Sequence, residues 1–192
     1  MTLTDAQIDR YSRQIIVPHI GGRGQERLLA ARMLLVGDAR DIDAPLAYLV
    51  GAGVGTIRIK AAVTAEQISE MRELSPEVSI TVANNPQESV DLALMIIGSE
   101  AVRKVADEVA TKYAAQATVI ARLDAPGKIF VVPDPQSPHS FDPQFGIRSE
   151  AAAFIAMLAT AEAFKLIAGY AENPSRATIE FDGYETRVRV NQ

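Results

Sequence analysis

The chain has 192 residues and a mass of 20.7 kDa, a size typical of one domain. Hydrophobic residues make up 48% and charged residues 22%, an ordinary globular composition that argues against disorder. Cysteine is absent, which excludes disulfides, a thiol nucleophile and a Cys-ligated zinc site. The net charge of −5 provides no basic surface for nucleic acid.

The sequence predicts neither a secretory signal nor a membrane span. Its first residues lack a basic stretch followed by an apolar core, so no secretory signal is predicted. The longest apolar stretch covers 151–169 and is interrupted by Thr160, Glu162 and Lys165, which we interpret as too polar for a membrane span. We therefore expect a cytoplasmic protein without a membrane partner.

Two helices are predicted before the first strand. Apolar residues recur at helical spacing over 4–16, and Thr4 is a possible N-cap. Three of the residues 21–24 are glycine, which indicates a turn, and a short helix is predicted over 25–31.

Strands and helices then alternate. Short apolar runs that end in glycine, over 32–37 and 92–98, are typical of buried parallel strands. The further predicted strands cover 56–60, 78–82, 117–123, 127–132, 178–181 and 187–190. The further predicted helices cover 44–50, 64–74, 100–115 and 150–168, with Asp43, Thr64 and Ser99 as N-caps of the first three.

This alternation predicts an α/β fold built on a doubly wound, Rossmann-like, mostly parallel sheet with an N-terminal helical extension. The last two strands alternate polar and apolar residues around Asp182 and Gly183, so an antiparallel hairpin is expected at the sheet edge. We expect a single domain over 1–192. Its parts are N-terminal helices (1–31), a Rossmann-like core (32–132), a proline-rich loop (133–148), and a late helix with the hairpin (149–192).

The nucleotide turn of such folds lies where the first strand meets its helix, and it is normally rich in glycine. Here Gly37 is followed by Asp38, Arg40, Asp41 and Asp43. With Asp43 at the predicted helix N-terminus, its carboxylate would fill the anion site with a stabilisation of about 0.3–1 kcal/mol. The other two carboxylates would repel a phosphate, so we predict a degenerate turn that does not bind nucleotide.

Other polar residues carry weaker signals. Lys60 ends the second strand, where a dinucleotide binder has an acidic residue. It could meet a 2′-phosphate or be a solvated strand end, and the missing glycines favour the second interpretation. His19 and His139 are far apart and have no evident third ligand, so no metal site is predicted.

Four segments form a specific ordered pattern. They are RYSRQII over 10–16, GQERL over 24–28, LLVG over 34–37 and YLVGAGVGTI over 48–57. In this order they closely resemble the opening of the ThiF/MoeB/HesA family, bacterial relatives of ubiquitin-activating enzymes. The segment over 149–169 resembles the late helix of that family.

The resemblance implies an ATP- and magnesium-dependent adenylation of the C-terminal glycine of a ubiquitin-like sulfur carrier. Several family features are replaced, however. Residues 38–43 stand in place of a glycine-rich turn, Lys60 stands in place of an acidic pair, and Gly98, Ser99 and Glu100 stand where the family has a magnesium-binding Asp. The zinc-binding and thiol-transfer cysteines are also missing. We therefore expect a pseudoenzyme of this family without a cofactor. ATP and magnesium are expected only under the alternative that the nucleotide pocket is altered and still active.

One functional element matches the family. The resemblance implies that Arg13 reaches across a dimer to the ATP phosphates of a partner subunit, and a guanidinium suits phosphate because it can bind in a bidentate manner. Alternatively, Arg13 pairs with Asp9 four residues earlier on the same helix. We expect a homodimer, or a heterodimer with a complete subunit, and a ubiquitin-like sulfur carrier as a further partner. The alternatives are an active adenylyltransferase with an altered pocket and, more remotely, a nucleotide-binding oxidoreductase.

Overall fold

The computed structural model describes residues 3–83, 89–123, 127–132, 149–169, 177–181 and 185–190. The helices are α1 (Asp5–Ile15), α2 (Gly21–Ala30), α3 (Ala39–Gly51), α4 (Ala65–Leu74), α5 (Glu100–Lys112) and α6 (Ser149–Ala168). The strands are β1 (Arg32–Val36), β2 (Thr56–Lys60), β3 (Ser79–Val82), β4 (Val90–Ile97), β5 (Ala115–Arg122), β6 (Gly127–Val132), β7 (Ala177–Phe181) and β8 (Thr186–Val190). The predicted hairpin turn at 182–183 and the predicted loop over 133–148 lie outside the described residues.

The strands form one sheet in the order β3-β2-β1-β4-β5-β6-β7-β8. The first five in this order are parallel, and β6, β7 and β8 continue the sheet in antiparallel pairing. This arrangement confirms the predicted fold class and the edge hairpin. The strand order reverses between β1 and β4, so the crevice at their carboxyl ends is the topological switch point at which such folds bind ligands.

Alternate residues of the buried strands face two hydrophobic clusters because side chains in a strand have a period of two. Met33 and Leu35 pack with α2, α3, α4 and α6 on one side of the sheet, whereas Leu34 and Val36 pack with α5 on the other. This double burial explains why β1 is an uninterrupted apolar run.

The predicted helix N-caps are confirmed at three sites. Thr4 and Thr64 each form a capping box with the glutamine three residues later. The Ser99 side chain accepts a hydrogen bond from the Val102 backbone N–H at 3.3 Å.

The prediction of a turn over 21–24 is wrong, because α2 already begins at Gly21. A Cβ at Gly24 would lie 3.0 Å from the Ile20 Cγ2 and 3.3 Å from the carbonyl oxygen of Ala168. The glycine therefore permits close packing of α2 against the end of α6. Its low helix propensity made it look like a turn residue, and tertiary contacts override that local preference.

The expectation that the segment of α6 is too polar for a membrane span is wrong. By length and composition alone, this helix is apolar enough to cross a membrane. Residues Glu150–Ala168 have a mean hydropathy of 1.7 over the best window. In the structure, however, Ile155, Ala159 and Ala163 are fully buried and share a face of the helix that belongs to the main hydrophobic cluster. This packing makes α6 a core helix of the sheet layer.

Candidate functional site

The junction between β1 and α3 is shorter than the sequence predicts. Helix α3 begins at Ala39, and Asp38 occupies the N-cap position without a side-chain capping bond. The Asp38 carbonyl oxygen accepts hydrogen bonds from the backbone N–H groups of Asp41, at 2.9 Å, and Ile42, at 3.1 Å. The predicted N-cap role of Asp43 is therefore wrong: this residue lies in the helix and is exposed, so its carboxylate does not fill an anion site at the helix N-terminus.

The helix starts early because its first turn packs directly on the strand ends. A Cβ at Gly37 would overlap the Ile42 Cγ2 and lie 3.1 Å from the Ile96 carbonyl oxygen, and a Cβ at Gly98 would overlap the Asp41 carboxylate. Gly37 follows β1 and Gly98 follows β4, so these are the two walls of the switch-point crevice. The side chains of Ile42 and Asp41 thus take up the space that a glycine at each strand end leaves free.

The crevice carries negative charge. Burial raises the pKa of the Asp41 carboxyl, the nearby Asp38 charge raises it further, and the Arg40 guanidinium opposes both effects. Asp38 and Arg40 are themselves exposed. The structure therefore brings Gly37, Asp41 and Gly98 together and leaves Asp38, Arg40 and Asp43 exposed.

Lys60 lies one strand away from this crevice. Its Cα is in register with that of Val36, so it ends β2 beside the end of β1. The charge of Lys60 also contributes to lowering the pKa of Glu108 on α5, although the main cause is the hydrogen bond that Glu108 accepts from Lys112.

Glu100 does not face the crevice as a free acidic ligand. Its carboxylate accepts two hydrogen bonds from the Arg103 guanidinium, one of them 2.8 Å long at Nε, and this pairing lowers the pKa of Glu100. A role in the first turn of α5 therefore accounts for Glu100.

The cavities near and far from the crevice differ in size. A cleft of about 240 Å³ lies between α3 and α6 and is lined by Arg40, Asp41, Pro45 and several alanines. Its volume is below the range of about 300–1,000 Å³ that is usual for ligand pockets. A larger cleft of about 530 Å³ lies at the opposite, amino ends of the strands, where its polar lining includes Asp91 and Gln116. The described cleft between α3 and α6 is therefore smaller than the described cleft at the amino ends of the strands.

Arg13 is exposed on α1, and within the described part of the chain no residue forms an ion pair or hydrogen bond with its side chain. The alternative pairing with Asp9 is not formed. His19 is also exposed, His139 lies outside the described residues, and no group of acidic and histidine side chains in the described ranges could hold a metal ion.

The motif residues instead contact one another. The Tyr11 ring lies against Gly53, where φ is +82° and a Cβ would collide with the ring. The fully buried Gln25 donates a hydrogen bond from Nε2 to the carbonyl oxygen of Ala52 at 3.0 Å. A Cβ at Gly55 would overlap the carbonyl group of Leu29. The RYSRQ, GQE and VGAGVG segments therefore form one packed junction between the N-terminal helices and the core.

Sequence reasoning missed one residue at this junction. The Tyr11 hydroxyl donates a 2.6 Å hydrogen bond to Oε1 of Glu77, and burial and this bond raise the pKa of Tyr11 to about 12. Glu77 is 66 residues away in the chain and belongs to no motif, so only the fold reveals the pairing.

Comparisons with known proteins agree with this architecture, although no family model matches the chain. A 74-residue segment is 43% identical to adenylyltransferase and sulfurtransferase uba4 of Pyricularia oryzae, covering 38% of this chain and 15% of that protein. A 60-residue segment is 47% identical to the sulfur carrier protein adenylyltransferase of Thermus thermophilus, covering 31% and 22%. The SAMP-activating enzyme E1 of Haloferax volcanii is 28% identical over 136 residues, covering 59% and 50%.

The crystal structure of E. coli MccB has a TM-score of 0.69 with 12% sequence identity, and the superposition covers 99% of this chain and 71% of that one. The fold and the switch-point crevice thus define a Rossmann-like α/β protein. Together with the matched segments, they make the chain similar to proteins of the ThiF/MoeB type, whose relatives named above include adenylyltransferases of sulfur carriers. The chain spans half or less of the length of these curated relatives.

Proposed function

We propose that this protein has lost ATP binding and adenylation, and that it acts as a non-catalytic dimer partner or as a docking scaffold for a ubiquitin-like sulfur carrier. The observation that carries the proposal is the filled crevice. Ile42 lies against Gly37 and the Asp41 carboxylate lies against Gly98, so side chains occupy the place where a phosphate would approach the strand ends.

Backbone geometry also supports the loss of a phosphate cradle. Phosphate sites at helix N-termini use the free N–H groups of the first turn. Here the Asp41 N–H, which could otherwise be free, donates to the Asp38 carbonyl oxygen at 2.9 Å, beside the ordinary helical bond from the Ile42 N–H. Fewer donors are therefore left for a ligand, and none of residues 38–43 is a glycine that would let a phosphate approach closely.

Electrostatic repulsion also disfavours the binding of a phosphate in this crevice. Two like unit charges 4 Å apart repel each other by about 4 kcal/mol at an effective dielectric constant of 20. A triphosphate beside Asp38 and Asp41 would meet this repulsion, and the Arg40 guanidinium that opposes it at Asp41 is exposed.

Arg13 is the residue through which we propose that this chain contributes to a partner. Its side chain is exposed and has no partner among the described residues, so it is available to bind a phosphate of a complete subunit. The assembly would be a heterodimer with such a subunit, or a homodimer in its absence, in the cytoplasm.

A calorimetric titration with ATP and magnesium tests the loss of the nucleotide site. We expect no binding heat up to millimolar ATP, while the Thermus thermophilus adenylyltransferase, used as a positive control, binds. A dissociation constant in the micromolar range for the isolated protein would refute the proposal.

An active adenylyltransferase with an altered pocket is the second candidate, because the named relatives include sulfur carrier adenylyltransferases. ATP–pyrophosphate exchange with a sulfur-carrier protein separates the two candidates. Exchange by the wild type that disappears on Asp41→Ala would support the active enzyme, whereas we expect no exchange by either form.

A further inference from the structure

Helix α1 is attached to the core through one buried side chain and several half-buried ones. Tyr11 is the only residue of α1 that is buried. A cleft of about 210 Å³ remains between the helix and the turn that contains Pro76 and Glu77. Tyr11 is therefore the one fully buried apolar anchor of α1, with Ile15 half-buried, and polar contacts contribute to fixing the rotation of the helix.

Those polar contacts converge on a single carboxylate. Glu77 accepts hydrogen bonds from the Tyr11 hydroxyl at 2.6 Å and from Nε2 of Gln7 at 3.2 Å, and it forms an ion pair with Nε of Arg10 at 3.6 Å. These three residues of α1 have the spacing i, i+3 and i+4, so they share one face of the helix. Nη1 of Arg10 also donates to the Leu74 carbonyl oxygen at 3.3 Å, next to the same turn.

We infer that Glu77 is a positioning residue that fixes the rotation of α1 on the core and thereby the direction in which Arg13 projects. Arg13 lies roughly a third of a turn round the helix from the middle of the face held by Glu77. It is exposed and has no described partner that would orient it independently. The importance of this orientation rests on the proposed function of Arg13. If Arg13 contacts a phosphate, a displacement of its guanidinium by about 1 Å can reduce the catalytic effect of that contact on the order of 100-fold.

Hydrogen exchange in the full chain tests the attachment without a partner or nucleotide. Glu77→Ala removes all three acceptor contacts, one of them to a charged group, so exchange in the peptide over 5–17 should accelerate by roughly tenfold or more, with β1 and β4 unchanged. Glu77→Gln keeps an acceptor for the Tyr11 hydroxyl and should restore part of the protection. Glu73→Ala, an exposed residue of the neighbouring helix α4, is the matched control and should have no effect.

A distance measurement tests the orientation of position 13 itself. Because the natural chain has no cysteine, Arg13→Cys and Glu66→Cys provide two unique spin-label sites, one on α1 and one on α4. The distance distribution should be narrow in the Glu77 protein, at least twofold wider with Glu77→Ala, and intermediate with Glu77→Gln. An unchanged distribution, or accelerated exchange throughout the sheet, would overturn the inference. Neither readout uses ATP or a partner, so an inactive Arg13 would refute the proposed function and leave this result intact.

Discussion

Glycine has different roles in two regions of the molecule, the junction of the N-terminal helices with the core and the switch-point crevice. At the junction, Gly53 and Gly55 admit the Tyr11 ring and the Leu29 carbonyl group, and the surrounding motif residues match the family. At the crevice, Gly37 and Gly98 admit side chains of this chain's own helix α3. The family resemblance therefore resides largely in residues that hold the fold together, and identity in those segments supports the architecture.

The strongest test of this comparison is Gly53→Ala at the junction. An alanine there would adopt an unfavourable φ of +82° and collide with Tyr11, so we expect a loss of about 3 kcal/mol in the free energy of unfolding. Urea denaturation measures it. Gly51→Ala is the control, because its Cβ would meet only Leu74 at 4.0 Å, and we expect it to be neutral or slightly stabilising. Equal effects of the two changes would contradict the packing argument.

Tyr11→Phe should have the next largest effect. It keeps the ring over Gly53 and removes the hydrogen bond to Glu77, at a cost of about 1.5–3 kcal/mol at neutral pH. The folded pKa of Tyr11, about 12, exceeds its unfolded value of 10.0, so this hydroxyl's contribution is complete below pH 10 and is lost as the pH rises to 12.

The pH dependence provides the check on that variant. The stability difference between wild type and Tyr11→Phe should shrink between pH 10 and pH 12, as measured by denaturant midpoints. A difference that stays constant over this interval would show that the hydroxyl is not held in its protonated form.

Asp41→Asn tests the crevice with a smaller effect. Because the folded-state pKa of Asp41 is raised, its ionisation favours the unfolded state, and the penalty appears as the pH rises above the unfolded value. The asparagine variant should therefore be more stable than wild type at pH 7, and this advantage should disappear near pH 3. Solvent screening of this half-buried group keeps the expected gain below about 1 kcal/mol. Asp43→Asn, at an exposed position of the same helix, should change nothing.

Arg13→Ala should have the smallest effect on stability. The side chain is exposed and unpartnered within the described ranges, so the free energy of unfolding should change by less than about 0.5 kcal/mol. The same variant should weaken the stimulation of a complete partner subunit in ATP–pyrophosphate exchange. A large loss of stability would instead assign Arg13 a structural role.

Much of the fold could be predicted because its signals are local. The apolar run that forms β1, the N-caps at Thr4 and Thr64, and the alternating residues of β8 each depend on neighbours within a few positions. The start of α3 could not be predicted in this way. The sequence predicts a start at residue 44, but α3 begins at Ala39 and Pro45 lies inside it, because the contacts of Ile42 and Asp41 with the strand ends favour an earlier start.

The candidate site also has one part that the sequence predicts and one part that only the tertiary structure reveals. The sequence alone identified an acidic, glycine-poor turn at Gly37 and an arginine at position 13. Only the tertiary structure shows that Asp41 packs on Gly98 and that Tyr11 pairs with Glu77, since these partners are 57 and 66 residues apart. Residue type and spacing determine the strands and helices through short-range periodicity, whereas the occupant of a crevice depends on which distant backbone leaves room for it.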